Sequence, residues 1–287
     1  MRFVKFVIQF TRPKETMPNL FSLEGRIAIV TGGMGQLGKQ YCSALVQNGA
    51  RVAVLDMLSP EDPRVIECSA TYKSNGFHYV KCNITSKDDL LHALESIRSK
   101  WSTPYILVNN AALDSPPSAL AEENGPFEEY PEASFDKVMA VNVKGIMLAC
   151  QVFGGAMAAQ GRGSIINISS IYGMVSPNQD IYEYRRKRGA AFFKPIAYSA
   201  SKSALFNLTR YLATYWAKKG VRVNTLTLAG VFNSQDEDFL REYCKRIPIG
   251  RMASPDEYNG AVIFLASDAS AYMTGSNLVI DGGWTAW

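Results

Sequence analysis

Seven short runs rich in valine and isoleucine punctuate the chain from residue 26 onward. They are RIAIVTG (26–32), RVAVLD (51–56), FHYVKCN (77–83), YILVNNA (105–111), SIINISS (164–170), VRVNTLTLA (221–229) and NLVIDG (277–282). None keeps the strict alternation of a strand with one wet face, so each reads as a strand buried on both sides. Between them, patterns of helical spacing fall near 36–48, 86–100, 133–159, 196–219 and 255–267. Strand and helix in alternation predict an α/β fold, a doubly wound parallel sheet of seven strands with helices on both faces. Neither repeat nor low-complexity linker divides it, so a single domain is expected.

Two connections are longer than packing needs, at 113–133 and 171–197. Long connections at the carboxyl ends of parallel strands are where such sheets bind ligands, so these two are expected to build the substrate pocket.

The first strand runs into IAIVTGGMGQLGKQY, where Gly32, Gly33, Gly35 and Gly38 crowd the turn before a helix. Glycine permits close backbone approach, so amide N–H groups can surround a pyrophosphate at the helix N-terminus. Gly33-x-Gly35-x-x-Gly38 fits the general dinucleotide fingerprint of a Rossmann-type fold, with Gln36 and Leu37 as further candidate contacts. The second strand ends in Asp56, eighteen residues beyond Gly38. A carboxylate there accepts from ribose hydroxyls and repels a 2′-phosphate. Neither the loop nor Met57 offers an arginine for that phosphate, so NAD is expected rather than NADP. Asn83 and Ile84, after the third strand, are candidates for the adenine edge; a turn cap is the alternative for Asn83.

Composition narrows the picture. Hydrophobic residues make up 47% of the 287, enough for a full core, and the net charge of +4 is no nucleic-acid footprint. Five scattered cysteines without a C-x-x-C pair, and two histidines, predict reduced thiols and no metal site. We find no apolar run approaching the length of a bilayer span, so no membrane partner is expected. Residues 1–20 read as an extension to a domain over 21–287. Met17 is the expected natural start, which makes residues 1–16 dispensable; an amphipathic membrane-surface segment is the rival reading.

AYSASKSALFNLTRYLA opens a helix and sets Tyr198 and Lys202 four residues apart on one face. A phenol titrates near pH ~10 and is a poor base at neutrality, but a neighbouring ammonium favours the phenolate. Bringing it to neutrality takes about 4 kcal/mol of differential stabilisation. Tyr198 would then exchange a proton with a substrate hydroxyl while hydride passes to or from a nicotinamide. Alone, Y-x-x-x-K is a chance pattern.

Its company is a family resemblance. TGGMGQLG, NNAA (109–112), VNVKG (141–145), INISS (166–170), YSASK (198–202) and the terminal VIDGG stand in the order found in the short-chain dehydrogenase/reductase family, which the chain resembles over residues 22–283. The spacing Thr31-Gly32-x-x-Gly35-x-x-Gly38 is similar to the extended branch. The length, NNAA and the ending PIGRMASPDEYNGAVIFLASDASAYMTGSNLVIDGG resemble the single-domain branch, where we place the chain with a variant loop. The resemblance implies that Tyr198 is the catalytic acid/base, that Lys202 lowers its pKa and holds the nicotinamide ribose, and that Ser170 orients the substrate oxygen, with Ser169 the fallback. It implies that Asn142 holds a water in the proton relay, that Asn109 and Ala111 line the adenosine-side ribose, and that Val231 contacts the carboxamide. It also implies a cytoplasmic homotetramer or homodimer assembled through the long helices.

Several positions depart from the family. Leu228-Ala229 replaces a usual proline-glycine pair beside the nicotinamide, and Ser170 and Tyr198 lie about twice as far apart as in most relatives. The insert carries YEYRRKRG, in which Arg185 and Arg186, with Tyr182 nearby, read as a clamp for an anionic sugar-like substrate. A solvated loop or subunit contact is the other reading. SSIYGMVSPNQDIYE and VFNSQDEDFL are similar to bacterial oxidoreductases of surface-sugar biosynthesis, including the nonulosonic-acid pathways of flagellin modification. The expected function is NAD-dependent interconversion of a secondary alcohol and a ketone on a small sugar-like molecule. The alternatives are an NADPH-dependent 3-oxoacyl-type reductase and a non-catalytic dinucleotide-binding sensor.

Overall fold

All five residues of the first strand, Ile27–Thr31 (β1), are buried, as a run with no wet face must be. The same holds for Arg51–Asp56 (β2) at its four inner positions, for Ile106–Asn109 (β4) and for Gly163–Ser170 (β5). With Phe77–Lys81 (β3), Val221–Leu228 (β6) and Asn277–Ile280 (β7) they form one seven-stranded sheet in the order β3-β2-β1-β4-β5-β6-β7. Every pairing is parallel. The computed structural model describes residues 19–72, 76–114, 121–190 and 192–287; the extension expected at residues 1–16 and its start at Met17 lie outside them.

Nine helices among the described residues surround the sheet. They are Gln36–Gln47 (α1), Pro63–Tyr72 (α2), Lys87–Lys100 (α3), Glu132–Ala159 (α4), Ile171–Met174 (α5), Glu183–Lys187 (α6), Ile196–Trp216 (α7), Glu237–Cys244 (α8) and Asn259–Ala266 (α9). On one face Leu90, Ile97, Ile146, Phe153, Leu205 and Trp216 from α3, α4 and α7 close a core over the sheet. On the other, α1 and α9 bring Tyr41, Leu45, Val262 and Leu265. A smaller apolar cluster, including Ile181, Phe192, Tyr243 and Trp284, folds the long insert against α8 and the C-terminal segment. The insert is therefore a built cap rather than an open loop.

Two expectations need correction. Helix α2 has no counterpart in the sequence reading, because Val65 is its one buried position and leaves almost no apolar stripe. The statement that no run could span a bilayer also fails by composition: Glu132–Ala159 is long and apolar enough. Half of its most apolar window is buried in the fold, where it packs as a layer helix with two π-helical stretches, Ala140–Gly145 and Cys150–Gly154.

Strand order reverses between β1 and β4, whose carboxyl ends open the crevice where such sheets take ligands. The glycine turn, the insert and the segment after β6 all converge there.

Candidate active site

The turn between β1 and α1 is closed by backbone contact. Gly32 has a φ of 61°, and a Cβ on it would lie 2.8 Å from the Ala111 Cα. A Cβ on Gly38 would fall 2.2 Å from the Gly32 carbonyl oxygen. Gly35 caps α1 with no side-chain bond to the first amides. Asp56 braces the turn from β2: its Oδ2 accepts from Met34 N at 3.0 Å and its Oδ1 from Leu58 N at 3.4 Å. Both oxygens keep acceptor capacity.

Thr31 and Asn110, which the sequence reading passed over, lock the ends of β1 and β4 together. Thr31 Oγ1 accepts from Asn110 N and Ala111 N, each at 3.1 Å, and Asn110 Nδ2 donates to the Thr31 and Gly32 carbonyls at 3.0 Å. Asn110, second of the NNAA asparagines, lines the crevice. Asn109 does not: it is buried between β4 and β5, donating to Asn167 Oδ1 at 2.8 Å and Cys150 Sγ at 3.4 Å. Asn83 caps its own turn through Thr85, and the Ile84 side chain is in the core.

Beyond the turn lies a cavity of about 880 Å³. Gln36, Leu37, Ser170, Tyr198, Lys202 and Val231 all line it, although the sequence spreads them over almost two hundred positions. Helix α7 presents Tyr198 from its first turn, just after Pro195. Burial drives the Tyr198 phenol well above its ordinary pKa, the Asp114 carboxylate adds to the rise, and Ser170 opposes it. The expected depression by Lys202 is not seen here: its Nζ donates to the Ile168 carbonyl at 2.9 Å and sits 5.7 Å from the Tyr198 ring centre. Burial lowers that ammonium to about 8, against the pull of Asp114. Ser169 donates to the Lys202 carbonyl at 2.9 Å, whereas Ser170 accepts from Tyr172 N at 3.2 Å and is the serine that acts on Tyr198. Asn142, in the first π-helical stretch, accepts from Leu113 N at 2.7 Å and donates to the Leu113 carbonyl and Ser201 Oγ. Its side chain thus fixes the chain leaving β4.

The insert forms the far wall. Tyr182 and Arg185 line it, Arg185 over the Phe192 ring at 4.7 Å. Arg186 does not line it, because its guanidinium donates to the Gln179 and Phe192 carbonyls, both at 3.1 Å. Arg188 lines the wall but is ion-paired to Asp236 and Asp238. The departure at Leu228-Ala229 is absorbed: Tyr258 Oη donates to the Ala229 carbonyl, and Gly230 N donates to Tyr243 Oη at 2.8 Å.

A parallel sheet with its crevice at the strand reversal, a glycine-walled turn and a tyrosine, serine and lysine on one cavity define a dinucleotide-dependent oxidoreductase acting on CH–OH groups. Family models agree. Residues 26–184 match the short chain dehydrogenase model, and residues 184–285 match a model described as enoyl-(acyl carrier protein) reductase. The chain belongs to the short-chain dehydrogenase/reductase family. It is 32% identical to the D-threitol dehydrogenase of Mycolicibacterium smegmatis, over 92% of this chain and 95% of that one. A gluconate 5-dehydrogenase from Burkholderia cenocepacia, in complex with NADP and tartrate, superposes with a TM-score of 0.80 at 25% identity, covering 93% of this chain and 98% of that one. A short chain dehydrogenase from Leptospira borgpetersenii with bound NAD+ gives 0.79 at 32% identity, covering 92% and 94%.

Proposed function

We propose that the protein is an NAD(H)-dependent dehydrogenase interconverting a secondary alcohol and a ketone on a polyhydroxylated, sugar-like substrate. The observation that carries the reading is that Tyr198, Ser170 and Lys202 share one cavity with Gln36 and Val231 from the dinucleotide side. The glycine turn fits a dinucleotide, since the space at Gly32 and Gly38 admits no side chain and no side chain caps the first α1 amides, which suits a pyrophosphate. Asp56 would accept from the adenosine ribose, and its charge opposes a 2′-phosphate; the next residue, Met57, is exposed and offers no cation.

When bound, the nicotinamide supplies the hydride acceptor or donor. Ser170 donates a hydrogen bond to the substrate oxygen and fixes it beside Tyr198. Tyr198 exchanges the proton: it gives one to the oxygen as a ketone is reduced and takes one as an alcohol is oxidised. Burial holds the phenol protonated, so the resting side chain is set to act as the acid. Lys202 sits behind it with an ammonium easily brought to neutrality. Relatives acting on D-threitol and gluconate support a polyhydroxylated substrate. Exposed Tyr211 and Tyr215, stacked on α7, support self-association through that helix.

A fluorescence titration with NADH and with NADPH tests the cofactor. NADH is expected to bind at least about tenfold more tightly, a difference of about 1.4 kcal/mol. Equal affinity contradicts the role given to Asp56.

A further inference from the structure

We infer that the ion pair between Asp114 and Lys194 binds the hydroxyl next to the carbon that reacts, so that this cavity selects the vicinal diol of a neutral polyol. The inference rests on the reading of the protein as an alcohol dehydrogenase.

Both residues line the cavity, one from each long connection, and their side chains meet at 2.5 Å. Lys194 Nζ lies 4.9 Å from the centre of the Tyr198 ring, closer than Lys202, so the pair adjoins the ring that carries the reacting hydroxyl. The Lys194 side chain is 8% exposed, yet among the described residues its ammonium has a single hydrogen-bond acceptor, Asp114. An ammonium carries three donors, and a buried one left unmet is costly. A hydroxyl fits this arrangement. Its oxygen takes a donor from Lys194 and its proton goes to Asp114, which is half-exposed and reachable.

The lysine is also held in place. Gln179 grips its backbone from both sides, accepting from Lys194 N at 2.8 Å and donating to the Lys194 carbonyl at 3.1 Å. Arg186 fastens Gln179 in turn through its carbonyl. Charge decides between a neutral and an anionic ligand. Three cations on this wall stand against three carboxylates: Lys194 is matched by Asp114 and Arg188 by Asp236 with Asp238, while Arg185 lies over the Phe192 ring. A wall paired in this way offers donors and acceptors side by side but little net field for an anion.

The test uses the full chain with NAD and four probes: D-threitol, butane-2,3-diol, butan-2-ol and D-gluconate. Asp114→Ala and Lys194→Met are each expected to raise KM for threitol and butanediol about tenfold or more while KM for butan-2-ol and the affinity for NADH stay unchanged; any change in kcat, through the pull of Asp114 on Tyr198 and Lys202, is common to all the alcohols. Three results overturn the inference: unchanged KM for the diols, an equal rise in KM for butan-2-ol, or a rise confined to gluconate. Wild-type protein that oxidises none of the four fails the dehydrogenase reading itself, which is a different outcome.

Discussion

Gln36 Nε2 donates to the Phe232 carbonyl at 2.9 Å, so a side chain from the first residue of α1 crosses the crevice mouth to the segment after β6. The usual single-domain pattern has glycine at this place. Here the longer residue ties together the two stretches that would flank the proposed dinucleotide.

Removing that strap should loosen the cofactor. An exposed hydrogen bond is worth about 1 kcal/mol, so Gln36→Ala is expected to weaken NADH binding about fivefold, chiefly by faster release. Stopped-flow fluorescence reads this directly. An unchanged release rate removes the strap from the account.

Asp56 is expected to decide between the two dinucleotides. Asp56→Asn keeps an oxygen for Met34 N, to which Asp56 now bonds at 3.0 Å, while removing the charge that opposes a 2′-phosphate. The ratio of kcat/KM with NADP to that with NAD should rise about tenfold or more. If the ratio stays fixed, selection lies elsewhere.

Much of this was legible in the residues themselves, and the gaps have physical causes. The strands were plain because burial on both faces leaves continuous runs, as in β5, where all eight residues are buried. Tyr198 and Lys202 carry a fixed local spacing on α7, and Ser170 closes the buried run of β5. Which asparagine of NNAA faces the crevice is not legible in the chain, because neighbouring residues at a strand end point to opposite sides: Asn109 is buried and Asn110 lines the cavity. Arg186 was read as a ligand clamp, yet nothing in YEYRRKRG shows that two backbone carbonyls hold it. Lys194 escaped notice because its partner, Asp114, is eighty residues away and meets it through the folded cap.

Gly38 tests the turn without touching the chemistry. A Cβ there would sit 2.2 Å from the Gly32 oxygen, with backbone on every near side. Overpacking of this kind costs about 1–3 kcal/mol or more, so Gly38→Ala should lower Tm by several degrees and abolish NADH binding. A variant that melts and binds like the wild type would show that the turn has room to move.

Lys202 gives stability a signature in pH. Its folded pKa of about 8 lies below the ordinary 10.5, so between these values the unfolded chain binds the extra proton and stability rises with pH. Below pH 8 both states are charged and the burial cost is constant. Relative to Lys202→Met, the wild type should gain up to about 3 kcal/mol between pH 8 and 10.5 in urea unfolding. Parallel curves would mean that the buried ammonium keeps its ordinary pKa.

The central claim is that Tyr198 moves the proton while a nicotinamide takes the hydride. Absorbance at the nicotinamide band, for wild type and Tyr198→Phe with NAD and a panel of polyols and sugar acids, tests it most directly. The account predicts reduction by the wild type and a loss of about a hundredfold or more in the variant, with NADH binding retained. Equal rates from the two proteins would contradict it.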